Sequence, residues 1–349
     1  MLKPRQAILD MAPYSPPSSG REGKLRLDFN ENTLGCSPRV LAALLEKLSA
    51  EQLSIYPEYE ATRAALSRYF RVPDSRFVFT NGTDEAIQVL VHAFVGEGDE
   101  ALILHPSYAM YRFYAQVAGA RVRELPYRSP DLAFPVEELI AAVTPAMRAI
   151  LISNPNNPTG TAIGLPEIER ILEAAPDAAV LIDEAYYDFC GVTALPLIGR
   201  YPNLFVSRTF SKAHGLAALR AGVLFSQEQN VALMRKSQSP YSVNAVAAIA
   251  VRAAVEDSEY LAGYVRQALE ARERLYEGFD RRGIRYWRSQ GNFVLFEAGA
   301  RSIEIRDALR ARGVLVRDRS YELPGTVRVT AGTPAQVERF FAALDEVWS

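Results

Sequence analysis

Lysine is scarce in this sequence. Of 39 basic residues only Lys3, Lys24, Lys47, Lys212 and Lys236 are lysine, and the other 34 are arginine. Histidine is scarcer still: His92, His105 and His214 show no metal-ligand spacing, which argues against a metal hydrolase and leaves no metal expected. Two cysteines, Cys36 and Cys190, cannot build a disulfide framework and fit a reducing compartment. No run approaches the roughly 18 apolar residues of a membrane span, and the N-terminus lacks the apolar centre of a secretory signal. A net charge of −2 carries no electrostatic footprint for nucleic acid or an acidic membrane. These absences predict a soluble, cytoplasmic protein with neither nucleic acid nor membrane as partner. What is present is ordinary for a globular chain: 349 residues, 49% hydrophobic and 23% charged, with room for two domains.

Against that background Lys212 stands out. It lies in the stretch from Ser207 to Gly222, just after apolar Leu204, Phe205 and Val206, beside Thr209 and Ser211, with Arg220 eight positions on. An amine that forms a Schiff base cannot be replaced by a guanidinium, which stays protonated. Hydroxyls and an arginine nearby are what a phosphate needs. Lysine, hydroxyls and arginine together suggest pyridoxal phosphate. On this stretch alone, a strand-end loop with a surface lysine stays open as the alternative.

The rest of the chain alternates strands with helices, which implies a mainly parallel α/β sheet. Pro4, Pro13, Pro16 and Pro17 make the first residues an irregular arm, and Leu25 to Phe29 reads as a short strand. Ser37-Pro38 opens a helix, and Glu60 to Phe70 forms another. Strands are expected at 77–80, 101–104, 121–125, 149–152, 179–182 and 204–206. Gly96 to Ala101 mimics a dinucleotide fingerprint, but it follows a helix and precedes a strand, the reverse of what that motif requires. The other motifs fall at strand C-termini, where ligands of such sheets bind. Gly82 opens a possible phosphate cradle, Tyr108 offers a ring for stacking, Asn157 sits in a proline-fixed loop, Asp183 ends a strand, and Lys212 follows one. From Tyr241 to Asp280 one long helical stretch is expected, followed by an α+β tail with Arg317 and Arg328 in or beside strands. The expected division is an N-terminal arm with part of a small domain (1–40), a large domain (41–240) and a small C-terminal domain (241–349).

Over nearly its full length the chain resembles the fold-type I pyridoxal phosphate-dependent aminotransferases, in the histidinol-phosphate branch. The strings that carry the resemblance are DFNENTLGCSP from Asp28, YPEY from Tyr56, NGTDE from Asn81, PSYAMY from Pro106, SNPNNPTG from Ser153, DEAY from Asp183, TFSKAHGLAALRAG from Thr209 and RVTAGT from Arg328. The resemblance implies a large domain with a mainly parallel seven-stranded sheet flanked by helices, plus a smaller α+β domain. It implies that Lys212 carries pyridoxal 5'-phosphate and shuttles a proton, and that Asp183 pairs with the ring nitrogen. Asn157 and Tyr186 would bond the ring oxygen, and Tyr108 would stack on the ring. Gly82, Thr83, Asp84, Thr209, Ser211 and Arg220 would surround the phosphate. Tyr56 would reach the phosphate of a neighbouring subunit's cofactor, which implies a homodimer. Arg328 and Arg317 would hold the acidic groups of the substrate, with Tyr14 and Asn30 lining the same pocket. Thr33, His214 and Ala218 depart from the family pattern without removing a cofactor ligand. The expected reaction converts imidazole acetol phosphate and L-glutamate to L-histidinol phosphate and 2-oxoglutarate. An aromatic amino-acid aminotransferase, or a decarboxylase or oxidase on the same scaffold, stays open.

Overall fold

The computed structural model describes residues 2–11 and 19–348. Among them run thirteen strands, numbered in chain order: β1 Leu25–Arg26, β2 Phe77–Thr80, β3 Glu100–His105, β4 Arg121–Pro126, β5 Met147–Ser153, β6 Ala179–Asp183, β7 Leu204–Thr209, β8 Gly222–Phe225, β9 Tyr286–Trp287, β10 Phe293–Glu297, β11 Val314–Leu315, β12 Arg317–Asp318 and β13 Thr326–Thr330. Seven form the main sheet in the order β2-β8-β7-β6-β5-β3-β4, as expected for a mainly parallel α/β fold. The central strands read as continuous apolar runs because helices cover both faces. Val180, Ile182 and Val206 enter one core layer, while Leu181 and Phe205 enter the opposite one. The edge strand β4 is mostly exposed and charged, which guards its open edge against pairing with another chain.

One strand escaped the sequence reading. β8 runs antiparallel between β2 and β7, with Gly222 beside both Thr80 and Thr209. It is four residues long and follows the lysine loop after no more than the short 3-10 helix Ala217–Leu219, so neither period nor βαβ rhythm marks it. Its consequence is functional. Because β8 runs backwards, its first residues meet the C-terminal ends of β2 and β7, so Arg220 joins the edge that the other strands deliver.

The expected helical stretch from Tyr241 is two helices, Ala245–Val255 and Ser258–Arg281. The break falls at Asp257, whose carboxylate accepts from the Tyr260 amide at the second helix start and from the Ser37 hydroxyl. A second sheet, β12-β13-β10-β9, builds its own core with the C-terminal helix Pro334–Trp348 and the helix Ser258–Arg281. β1 pairs in parallel with β11, so the first described strand joins this C-terminal layer. None of the helices among the described residues is long and apolar enough to cross a membrane.

Candidate active site

The C-terminal ends of β2, β3, β5, β6 and β7 share one edge of the main sheet and open into a cavity of about 400 Å³. Register fixes its floor: Asp183 ends β6 directly between Ser153 of β5 and Ser207 of β7. Ser207 donates to Asp183 Oδ1 and Tyr111 donates to Oδ2, each at 2.8 Å. Burial pushes the Asp183 carboxyl above its ordinary range, although these two hydrogen bonds pull the other way. The next residue, Glu184, is equally buried but turned elsewhere, toward Arg208 Nε at 2.7 Å. Strand alternation thus separates a carboxylate facing the cavity from a structural ion pair behind it.

One end of the cavity suits a phosphate. Gly82 starts the helix Gly82–Phe94, whose first-turn N–H groups have no acceptor within the helix. Its φ is +77°, and a Cβ there would come within 2.8 Å of Arg220 Nη2, so only glycine lets that guanidinium approach. Arg220 donates to Asp84 Oδ2 at 3.1 Å and to Ser211 Oγ at 3.3 Å. Thr83, Thr209 and Ser211 line the same end. The Tyr108 hydroxyl donates to Asp84 Oδ1 at 2.6 Å, which fixes its ring at the wall. Burial, with Asp84 beside it, raises the Tyr108 phenol far above its ordinary value, so it stays a proton donor.

Lys212 projects into the middle, its Nζ donating to the Phe29 carbonyl at 2.9 Å. Tyr186 packs nearby, with the amine 5.8 Å from its ring centroid. Asn30 does not line the cavity but lies behind it, fully buried, donating to the Tyr186 hydroxyl at 3.0 Å. His214 points away from the site into the core, where its ring packs edge-on against Phe210 and Tyr69. Burial lowers its pKa, so it is a neutral packing group.

The far end is cationic. Arg328 of β13 sits directly across from Arg317 of β12, and both face the cavity. Like charges in this position repel unless something neutralises them. No carboxylate lies within ion-pair range of either side chain among the described residues. Arg328 donates instead to the Asn157 side-chain oxygen and the Asp28 carbonyl. Burial pulls Arg328 down to about 10, with Arg319 and Arg317 pushing the same way, yet it remains a cation at neutral pH.

The structure therefore brings Thr83, Tyr108, Asn157, Asp183, Tyr186, Thr209, Ser211, Lys212, Arg220, Arg317 and Arg328 to one cavity, with Gly82, Asp84 and Asn30 immediately behind its walls. Tyr56 is not there. It is 75% exposed and stacks on Tyr241, with ring centroids 4.5 Å apart. Tyr14 lies outside the described residues. Sequence reasoning missed Arg21, Glu31, Ser107, Arg319 and Tyr321, which also line the cavity. Among 34 arginines, Arg21 and Arg319 carried no distinguishing local signal; the short spacing from Arg317 to Arg319 was the one available hint.

Residues 22–344 match the family described as aminotransferase class I and II. The histidinol-phosphate aminotransferase of Symbiobacterium thermophilum is 36% identical over 354 residues, covering 97% of each chain. Histidinol-phosphate aminotransferase 2 of Methylococcus capsulatus is 36% identical over 335 residues, covering 93% of this chain and 90% of its own. Among solved structures, histidinol-phosphate aminotransferase from Sinorhizobium meliloti in complex with pyridoxal-5'-phosphate superposes with a TM-score of 0.89 at 24% identity, covering 98% of this chain and 96% of that one. The fold that brings lysine, carboxylate and guanidinium groups to one sheet edge is thus shared with a solved aminotransferase, and the chain belongs to the class I and II aminotransferases.

Proposed function

We propose that this aminotransferase interconverts L-histidinol phosphate and 2-oxoglutarate with imidazole acetol phosphate and L-glutamate, using pyridoxal 5'-phosphate. The observation that carries the proposal is the placement of a lone amine, Lys212, between two anion-seeking ends of one cavity. The donor set fits the cofactor. Gly82, Thr83, Thr209, Ser211 and Arg220 suit a phosphate, and the buried Asp183 suits a protonated ring nitrogen. Pyridoxal 5'-phosphate, when bound, supplies the electron sink for the substrate α-carbon that no side chain offers. Lys212 would hold it covalently through Nζ and, once the substrate amine takes that place, the freed Nζ would move the substrate α-proton. Asp183 would pair with the ring nitrogen and favour its protonated form. Asn157 uses its Oδ1 on Arg328, which leaves its Nδ2 to donate to the ring oxygen. The Tyr186 oxygen accepts from Asn30, so its own O–H is free to donate there as well. Tyr108, tethered through Asp84, presents its ring for stacking.

Arg328 and Arg317 read the substrate. A phosphate or carboxylate between them removes the repulsion of two opposed guanidinium groups. Phenylalanine brings a single carboxylate, less charge than the phosphate of histidinol phosphate or the two carboxylates of glutamate, which weighs against the aromatic aminotransferase reading. Arg328→Ala should lower kcat/KM for both L-glutamate and L-histidinol phosphate by about 2–5 kcal/mol in transition-state binding, a factor of roughly 30 to 5,000. Steady-state kinetics with each donor checks this; a loss confined to one donor would mean separate anion sites.

A homodimer is part of the proposal. Leu41, Leu45, Leu53, Ile55 and Tyr56, all within 16 residues of chain, are 51% to 78% exposed, and covering them in a dimer would remove apolar area from water. Tyr56 lies on this surface, as a residue serving a neighbour's cofactor should. Sedimentation equilibrium is expected to give twice the chain mass, and a monomer at micromolar concentration would remove Tyr56 from the site.

A further inference from the structure

The segment from Asp28 to Asn32 touches three of the groups the proposed reaction needs, and the loop that carries one of them. The Asp28 carbonyl accepts from Arg328, and the Phe29 carbonyl accepts from Lys212 Nζ at 2.9 Å. The Asn30 amide holds the Tyr186 hydroxyl at 3.0 Å, and the Asn32 amide holds the Ala213 carbonyl, next to the lysine, at 2.9 Å. The substrate arginine, the amine, the ring-oxygen tyrosine and the lysine loop are therefore positioned by five consecutive residues. The segment has no helix or strand hydrogen bonding of its own. Its middle is tied to the C-terminal layer, where the Asn30 N–H donates to Thr330 Oγ1 at 3.0 Å and the Asn30 carbonyl accepts from Asn292 at 3.2 Å. Asn30 is held there at φ +57°, a left-handed conformation that L-residues rarely adopt.

A single side chain brackets it. Arg21 reaches Asp28 with Nε at 3.1 Å and Nη2 at 2.8 Å, and Glu31 with Nη1 at 3.2 Å and Nη2 at 2.6 Å. Its guanidinium also lies 4.4 Å from the Phe29 ring centroid. The fork thus grips both ends of the bend and caps the residue between them. Burial opposes its charge, yet the Asp28 and Glu31 carboxylates hold Arg21 well above the ordinary arginine range. A lysine cannot reproduce this, since a point charge cannot engage two carboxylates side-on together.

We infer that Arg21 is a positioning residue: its double clasp on Asp28 and Glu31 sets the 28–32 segment and, through it, the relative placement of Lys212 and Arg328. The kinetic part rests on the proposed function; the conformational part does not. The test is a set of variants, Arg21→Met, Arg21→Lys, Asp28→Asn and Arg21→Met/Asp28→Asn. Amide hydrogen exchange is followed on cofactor-free protein for peptides covering residues 28–34, and KM is measured for L-glutamate and L-histidinol phosphate on the loaded enzyme. Arg21→Met is expected to speed exchange in those peptides by about tenfold with the rest of the chain unchanged, and to raise both KM values by about tenfold. Arg21→Lys should restore part of each effect, and the double variant should be no worse than Arg21→Met, because both changes break one linkage. Unchanged exchange in 28–34, or faster exchange with both KM values unaltered, overturns the inference. Should Arg21→Met not fold, Asp28→Asn and Glu31→Gln carry the same comparison. A parent enzyme inactive on both donors would sink the function reading alone, since the exchange arm uses neither substrate nor cofactor.

Discussion

Lys212→Ala is expected to abolish transamination, with kcat falling by at least about 10⁴-fold and the absorbance of added pyridoxal 5'-phosphate staying that of the free aldehyde. The cavity holds no other lysine, so nothing can stand in for its Nζ. The variant should still fold, because Lys212 contributes one hydrogen bond, to the Phe29 carbonyl, rather than core packing. Lys212→Arg sharpens the comparison. It keeps a cation at the same place but offers no deprotonated amine, so it should be as inactive as alanine. If arginine restored turnover to within tenfold of the parent, Lys212 would act as a charge and the covalent role would be wrong. Absorbance spectra and single-turnover kinetics on the three proteins decide between these.

Asp183→Asn should separate function from stability. Activity is expected to fall by about 10²–10³-fold, the usual effect of removing one preorganised electrostatic group from a buried site. The cofactor-free protein should nevertheless melt higher than the parent at neutral and alkaline pH. Burial raises the Asp183 carboxyl above its unfolded value of about 3.9, so the folded chain binds that proton more tightly than the unfolded one. Stability linked to this group is therefore fully present below the unfolded value and is lost as pH rises through the folded one. An amide carries no charge to desolvate, accepts from Ser207 and can donate to the Tyr111 oxygen. The advantage of Asp183→Asn should accordingly shrink as pH falls. Thermal melts from pH 4 to 8 without cofactor measure it. A variant that melts lower than the parent at pH 8, or one that keeps full activity, contradicts the assigned role.

Much of the site was legible because the chemistry lies on regular elements. Asp183, Asn157 and Lys212 follow apolar runs that read as strands, and a parallel sheet puts such ends on one edge. Gly82 was legible because a glycine between a strand and a helix is where a backbone must approach something closely. The strand β8 was not, since four apolar residues after a loop fit a strand or a helix equally well. Arg21 was not either. Its partners lie seven and ten positions away across a loop and a two-residue strand, a separation with no periodic signature. Arg319 and Tyr321 enter the cavity only because β12 and the turn after it fold back over β13, which is a tertiary fact. His214 departs from the family pattern in the lysine loop, and its contacts with Phe210 and Tyr69 are those of a core ring.

The central claim is that Lys212 holds pyridoxal 5'-phosphate and passes amino groups between anionic substrates read by Arg328 and Arg317. A spectral titration tests it most directly. Purified protein is loaded with pyridoxal 5'-phosphate, and the visible band is followed while L-histidinol phosphate, L-glutamate or L-phenylalanine is added alone. The first two are each expected to bleach the band, and phenylalanine to do so only at much higher concentration. A protein with no visible band after loading, or one bleached by phenylalanine in preference to both anionic donors, would contradict it.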